Sequence, residues 1–310
     1  MAAGDRVTRP GHIQYGPLLL GPGTPYRWKT LTGWEELPGL DSGTVARSDA
    51  HGAFPGRLLA QARTIGLDNL MVRAPRARLG AVVGALNAGT QIVEDERPLV
   101  VWLDERGPLL TYARAVRRII PTGIGYRTGS IQDGAVEWEA TDPRRYALAE
   151  QVATARLPAP EPGLDWNTVP GPESLAWPLT FGEPGSTGAL SATNAGDAPA
   201  HPVIEFRGPV ERPSLTKTGT GEVLEYDLPL AASDVLTVDT GAGTVLLNGT
   251  ASRIGQVSNR SVPERTFTLA PGELVGDVLV PTTTPLIFRA APGSTDPAAS
   301  VTVRWRSAYW

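Results

Sequence analysis

The chain contains no cysteine. That absence removes disulfides, thiolate nucleophiles and sulfur-based zinc sites together, so the fold must hold by packing alone. Histidine is scarce as well. His12, His51 and His201 lie far apart in glycine- and proline-rich stretches, with no partner at metal-ligand spacing, and read as surface or turn residues. No stretch approaches the roughly 20 apolar residues of a membrane helix, and the opening MAAGDRVTRPG lacks an apolar core of signal-peptide length. The expectation is a soluble protein made in a cytoplasm, without a membrane partner. A net charge of -4 and a pI near 5.5 give no general attraction to phosphate, which argues against nucleic-acid binding driven by charge. A G-x-S-x-G elbow, a Walker loop, H-E-x-x-H and a complete G-x-G-x-x-G are all missing. The sequence therefore assigns no catalytic residue, no cofactor site and no metal ligand.

What the chain does have is turns. Thirty-five glycines and twenty-nine prolines follow no fixed period, which suits many short strands, and 310 residues are enough for two domains. The clearest signal is DVLTVDTGAGTVLLNG, residues 234–249. Leu236 and Val238 alternate with Thr237 and Asp239, Gly241-Ala242-Gly243 supplies the turn, and Val245 and Leu247 rebuild the apolar face of a β-hairpin. Further strands are expected near 189–194, 203–208, 213–218, 222–230, 266–269, 286–290 and 300–309, a spacing that fits a sandwich. In the last of these Val301, Val303, Trp305 and Tyr309 share one face.

The first half reads as edge strands and tight turns at 18–20 and 26–28, then a polar loop at 39–52. Two neighbouring strands are expected at 57–65 and 67–73, parted by Gly66. One helix is expected after Pro75, where Leu79, Val82, Val83 and Leu86 recur at spacings of three and four before Asn87 and Gly89. A long hairpin follows, with arms 98–103 and 109–120 about the turn 104–107, and a strand at 130–141 closes the unit. Proline is dense from Leu157 to Pro184, marking a domain boundary.

Few residues suggest chemistry. The carboxylates of Glu94, Asp95 and Glu96, and of Asp104 and Glu105, suggest a hydrolase pair, but adjacent positions point apart and turn composition explains both clusters. Trp166, Trp177, Trp305 and Trp310 admit a sugar-stacking platform or a sandwich core. Arg114, Arg117 and Arg118, like Arg304 and Arg306, admit a solvated face or a subunit contact with acids such as Glu94–Glu96. On the second account the contact surface comprises Leu109, Tyr112, Arg114, Arg117 and Arg118.

Taken in order, the segments VARSDAHGAFPGRLL, RLGAVVGALN followed by RPLVVWL, and EATDPRRYAL in the first half resemble the distal tail proteins of long-tailed, siphovirus-type bacteriophages. In the second half GALSATNAGDAPAHPVIEFRGPV, TVDTGAGTVLLNGTASR, LAPGE and VTVRWRSAYW resemble the version with a galectin-like C-terminal domain. The segment RIGQVSNRS departs from that pattern, which has a bulkier aromatic cluster there. The resemblance implies a mainly β protein: a β-sandwich-like ring (belt) domain at 1–150 with one helix and a long β-hairpin, a linker at 151–172, and a galectin-like β-sandwich at 173–310. It implies a structural protein of the virion tail tip, not an enzyme, made in the host bacterial cytoplasm. Six copies would form a ring joining the tail tube protein to the tail-tip hub protein, around the end of the tape-measure protein, with DNA only as passing cargo. A carbohydrate-binding adhesin is the alternative.

Overall fold

The computed structural model describes residues 2–159 and 185–310. It is mainly β and divides into two units, Met1–Leu148 with Tyr309–Trp310, and Ala149–Ala308. Of the expected linker, Gln151–Arg156 is instead a strand of the second unit, and 160–172 lies outside the described residues.

In chain order the first unit begins with β1 (Ile13–Tyr15), β2 (Leu18–Leu20), β3 (Tyr26–Arg27) and β4 (Thr30–Thr32). The short β5 (Leu40–Asp41), β6 (Val45–Ala46), β7 (Ala53–Phe54) and β8 (Leu59–Ala60) precede the long β9 (Arg63–Arg73). Then come α1 (Arg76–Gly89), β10 (Arg97–Trp102), β11 (Pro108–Ile119), α2 (Ile124–Thr128), β12 (Ser130–Ala140) and β13 (Arg145–Ala147). The main sheet runs β2-β1-β10-β11-β12-β9-β3, with β4 on β9 and β13 on β11. Its two end strands are joined through Gly21, whose N–H donates to Tyr26 O at 2.7 Å, so the sheet curls almost to closure.

Alternation explains the core. Ile13 and Tyr15, Leu99 and Val101, Val136, Trp138 and Ala140, and Ile65 and Leu67 all point inward, and α1 adds Leu79, Val83 and Leu86. The rings of Tyr15 and Trp138 lie 5.8 Å apart at its centre. The expected helix is present. The short α2 was not foreseen, because five residues are too few to show a period. The expected pair of strands about Gly66 is one strand. Gly66 is paired with Glu137 on one side and Thr32 on the other.

The second unit opens with β14 (Gln151–Arg156), β15 (Ala189–Asn194), β16 (Val203–Arg207), β17 (Val210–Glu211), β18 (Ser214–Lys217), β19 (Val223–Glu225) and β20 (Pro229–Leu230). It continues with β21 (Val235–Asp239), β22 (Thr244–Leu247), β23 (Ala251–Ser252), β24 (Glu273–Val275), β25 (Val278–Val280), β26 (Thr282–Arg289) and β27 (Ser300–Trp305). A six-stranded sheet, β14-β27-β16-β21-β22-β23, faces a four-stranded one, β15-β26-β18-β19. Phe206 of the first sheet meets Phe288 of the second at 5.9 Å and Tyr226 at 6.1 Å, so this is a sandwich with an aromatic centre. The hairpin read at 234–249 is β21–β22. The Asp239 carboxylate accepts the N–H groups of Gly241 and Ala242, both at 2.9 Å, and Gly243 takes φ +68°. The strand expected at 266–269 is absent. A 3₁₀ turn occupies Glu264–Thr266 and Leu269 makes only an isolated bridge to Ala200.

Replacing Phe206 with Ala removes the ring that both sheets share, and should lower stability by about 3–5 kcal/mol. Denaturant unfolding followed by circular dichroism measures it.

Candidate assembly surface

Between the near-closed sheet and the start of β9 the chain leaves its own core. Every residue from 39 to 59 is exposed. Within this arm β5 pairs only with β8, and β6 only with β7, so it is a two-stranded ribbon ending in a turn where Arg47 N donates to Gly52 O. Its side chains are not those of a solvated loop. Leu40, Val45, Phe54, Leu58 and Leu59 are all exposed, Phe54 by 59%, with the Arg47 guanidinium 4.7 Å from the Phe54 ring centre. A two-stranded ribbon is marginal in water by itself, and this one spends its apolar residues on no internal core.

The root of the arm, by contrast, is firmly held. Arg63, at the end where the arm rejoins β9, is 1% exposed. Its Nη1 donates to the carbonyls of Gly33, Trp34 and Glu36 at 2.7–3.1 Å, and its Nε to Pro143 O at 2.6 Å. A planar guanidinium thus ties the outgoing and returning chain together, as a lysine's single ammonium would not. Burial, and next the charge of Arg145, lower its pKa to about 10, so it stays cationic at neutral pH. Arg145 is itself buried. It pairs with Glu35 at 2.8 Å, lies against the Trp34 ring and donates to the carbonyl of Trp310, while Glu35 also receives Arg106 at 2.9 Å. Burial works against the Glu35 charge, but the hydrogen bonds and charges of Arg106 and Arg145 prevail and hold its pKa below the usual carboxylate range.

The surface expected on β11 is only partly there. Leu109 is 4% exposed and belongs to the core of the first unit, which withdraws it from any contact surface. Tyr112 is 45% exposed. Arg114 pairs with Glu139 at 3.1 Å and Arg117 with Glu137 at 3.6 Å; the acids are on neighbouring β12, not at Glu94–Glu96. A bulge at Val116 brings Arg117 to the same face as Arg114. Arg118 turns the other way and caps α1, donating to Asn87 O, Thr90 O and Thr90 Oγ1 at 2.8–3.2 Å.

Other candidates settle into structural places. Glu96 accepts the Thr141 N–H and Asp104 is bound by Arg106, so both acidic clusters hold turns. His12 is buried and bonded to Thr8 and Arg9. Trp305 is 5% exposed, its N–H donating to Thr193 O, and is a core residue, while Trp166 and Trp177 lie outside the described residues. Among the described residues no three potential ligands converge on a metal position. The second unit also carries an exposed apolar ribbon, β24–β25, where Leu274 is 75% exposed beside Val275 and Val278.

Residues 195–289 match the family model of the siphovirus-type tail component, C-terminal domain. The matched stretch lies within the second unit. In fold a likeness extends across both units. The crystal structure of phage SPP1 Dit (gp 19.1), described as a paradigm of the hub adsorption apparatus in phages infecting Gram-positive bacteria, is similar with a TM-score of 0.63 at 12% identity, over 96% of this chain and 99% of that one. The phage P2 baseplate in its activated conformation with Ca matches with a TM-score of 0.48 at 8% identity, over 94% of this chain and 96% of that chain. No curated protein sequence matches the chain. The resemblance to distal tail proteins read from its segments stands.

Two substitutions test the local assignments. Arg63→Leu strands four carbonyls at the arm's root and should cost about 3–5 kcal/mol, with faster hydrogen exchange at 33–36. Arg118→Ala should cost only about 0.5–1 kcal/mol, less at high salt, as expected for a helix C-terminal cation. Thermal melts compared at low and high ionic strength separate the two.

Proposed function

We propose that this chain is a structural, non-enzymatic component of a phage tail tip. It builds a ring of six copies that joins the tail tube to the tail-tip hub and adhesion apparatus. The observation that carries the reading is the arm: residues 39–59 are exposed throughout, carry five large apolar side chains, and spring from a clamped root. An element this apolar and this unsupported is built to lie on another surface. A heterologous contact repeated by rotation closes a ring with every arm covered. Tyr112 and the Arg114 and Arg117 face of β11 form part of the same contact. The tail tube protein, hub protein and tape-measure protein are the further partners, DNA passes through, and the particle's place is the virion tail, after synthesis in the host cytoplasm. The apolar ribbon β24–β25 supplies the second unit with a place to hold the adhesion apparatus.

Native mass spectrometry of the purified protein tests this. The expected species has about six times the 32.8 kDa of one chain, formed alone or on addition of tail tubes. Val45→Asp with Phe54→Asp should leave folding unchanged, because both side chains are exposed, and yield monomers only. Rings that persist in the double variant would remove the arm from the contact, and monomers in the wild type even with tubes present would remove the ring.

A further inference from the structure

Three neighbouring strands of the first unit are interrupted at the same level. On β12 the register with β9 slips between Ile131 and Gly134, so that Gln132 and Asp133 stand opposite Met71 alone. It slips back between Gly134 and Val136, where β9 places Asp68 and Asn69 opposite Ala135. The two bulges cancel: Ile131 pairs with Val72 above them and Val136 with Leu67 below, in one common register. On the far edge of β9 the ladder is also broken, because β3 ends at Arg27 opposite Met71 and β4 begins at Thr30 opposite Asp68. Trp28 and Lys29 fill that gap. Each bulge holds a non-glycine residue in the left-handed region, Asn69 at φ 53° and Asp133 at φ 57°.

The aligned interruptions leave a cavity of about 190 Å³ lined by Arg27, Trp28, Lys29, Asn69, Gln132 and Asp133, with Met71. The indole is fixed in place, since its N–H donates to Gly11 O at 3.0 Å and its ring also packs on the core. The polar side chains around it make no hydrogen bond or ion pair among the described residues, unlike the arginines of β11. Glycine would satisfy both left-handed positions with no Cβ to accommodate, and a pair of bulges that cancel leaves the sheet's pairing on either side unchanged. What they do change is the wall of this cavity, which gains an amide, a second amide and a carboxylate.

We infer that this cavity is a binding site for a single saccharide ring bearing an anionic substituent, phosphate or carboxylate. An aromatic face receives the C–H face of a sugar, while amides and a carboxylate exchange hydrogen bonds with its hydroxyl groups. Arg27 and Lys29 against Asp133 leave the wall cationic, which selects the acidic ring. A volume below the roughly 300–1,000 Å³ of drug-sized pockets limits the ligand to one ring. The site does not depend on the ring reading, and it lies in the first unit, not among the tryptophans of the second half.

Ligand-observed saturation-transfer NMR on the full chain tests it with glucose, glucuronate, N-acetylglucosamine 6-phosphate and inorganic phosphate at millimolar concentration. Signal is expected from the two acidic sugars and little from glucose. Asn69→Gly with Asp133→Gly should weaken binding by about tenfold or more, from the lost hydrogen bonds, while the melting midpoint stays the same or rises. The rise or constancy shows that the variant folds. Absence of transfer to either acidic sugar overturns the site. So does unchanged binding in the glycine variant, which would leave the bulges as devices for bending the sheet. Inorganic phosphate competing as well as the sugar phosphate would overturn the saccharide assignment in favour of a simple anion site.

Discussion

A β-strand has two edges, and each buried or exposed edge must find hydrogen-bond partners or be protected from unwanted ones. The first unit meets this constraint by curling its sheet until β2 and β3 nearly touch, so that most strands have neighbours on both sides. The second unit meets it with two sheets packed through Phe206, Phe288 and Tyr226. The arm at 39–59 is where the constraint is left open. Its pairing is only two strands deep, and its apolar residues face water.

The contrast between root and arm is informative. Proteins place buried arginines sparingly, because desolvating a guanidinium is costly unless its donors are met. Arg63, on the returning chain, is met through Nε and Nη1 by three carbonyls of the outgoing chain, Gly33, Trp34 and Glu36, and by that of Pro143. The chain therefore fixes the direction in which the arm leaves, and leaves its length to be stabilised elsewhere. That combination of a rigid origin and an uncommitted ribbon suits a part that must meet another surface in one orientation.

Much of this was legible in the residues. Alternation announced β21, β22 and β27, the three- and four-residue spacing announced α1, and the turn at 104–107 announced the β10–β11 hairpin. The failures have physical causes. Gly66 looked like a break because glycine usually is one, yet the true irregularity is three residues on, where the inward residues Leu67 and Leu70 are spaced by three instead of two. Residues 39–52 of the arm read as a polar loop because Leu40 and Val45 stand apart among glycine and polar neighbours, and exposure is a property of what lies nearby, not of sequence. Leu109 and Arg118 looked like contact residues because sequence shows that a strand carries arginine and leucine but not which face they take. A bulge at Val116 reverses the alternation just before Arg118. The wall around Trp28 was not legible at all, since it is assembled from three segments whose only signal is two Asx residues in the left-handed region.

The cancelling bulges also set the balance of length between the two strands. Four residues of β9 lie between Leu67 and Val72, and four of β12 between Ile131 and Val136, so neither strand outruns the other. Without Asn69 the flanking pairs could persist, but three residues would then face four, and the bulge at Gln132 and Asp133 would stand alone, bending and twisting the sheet there without its counterpart.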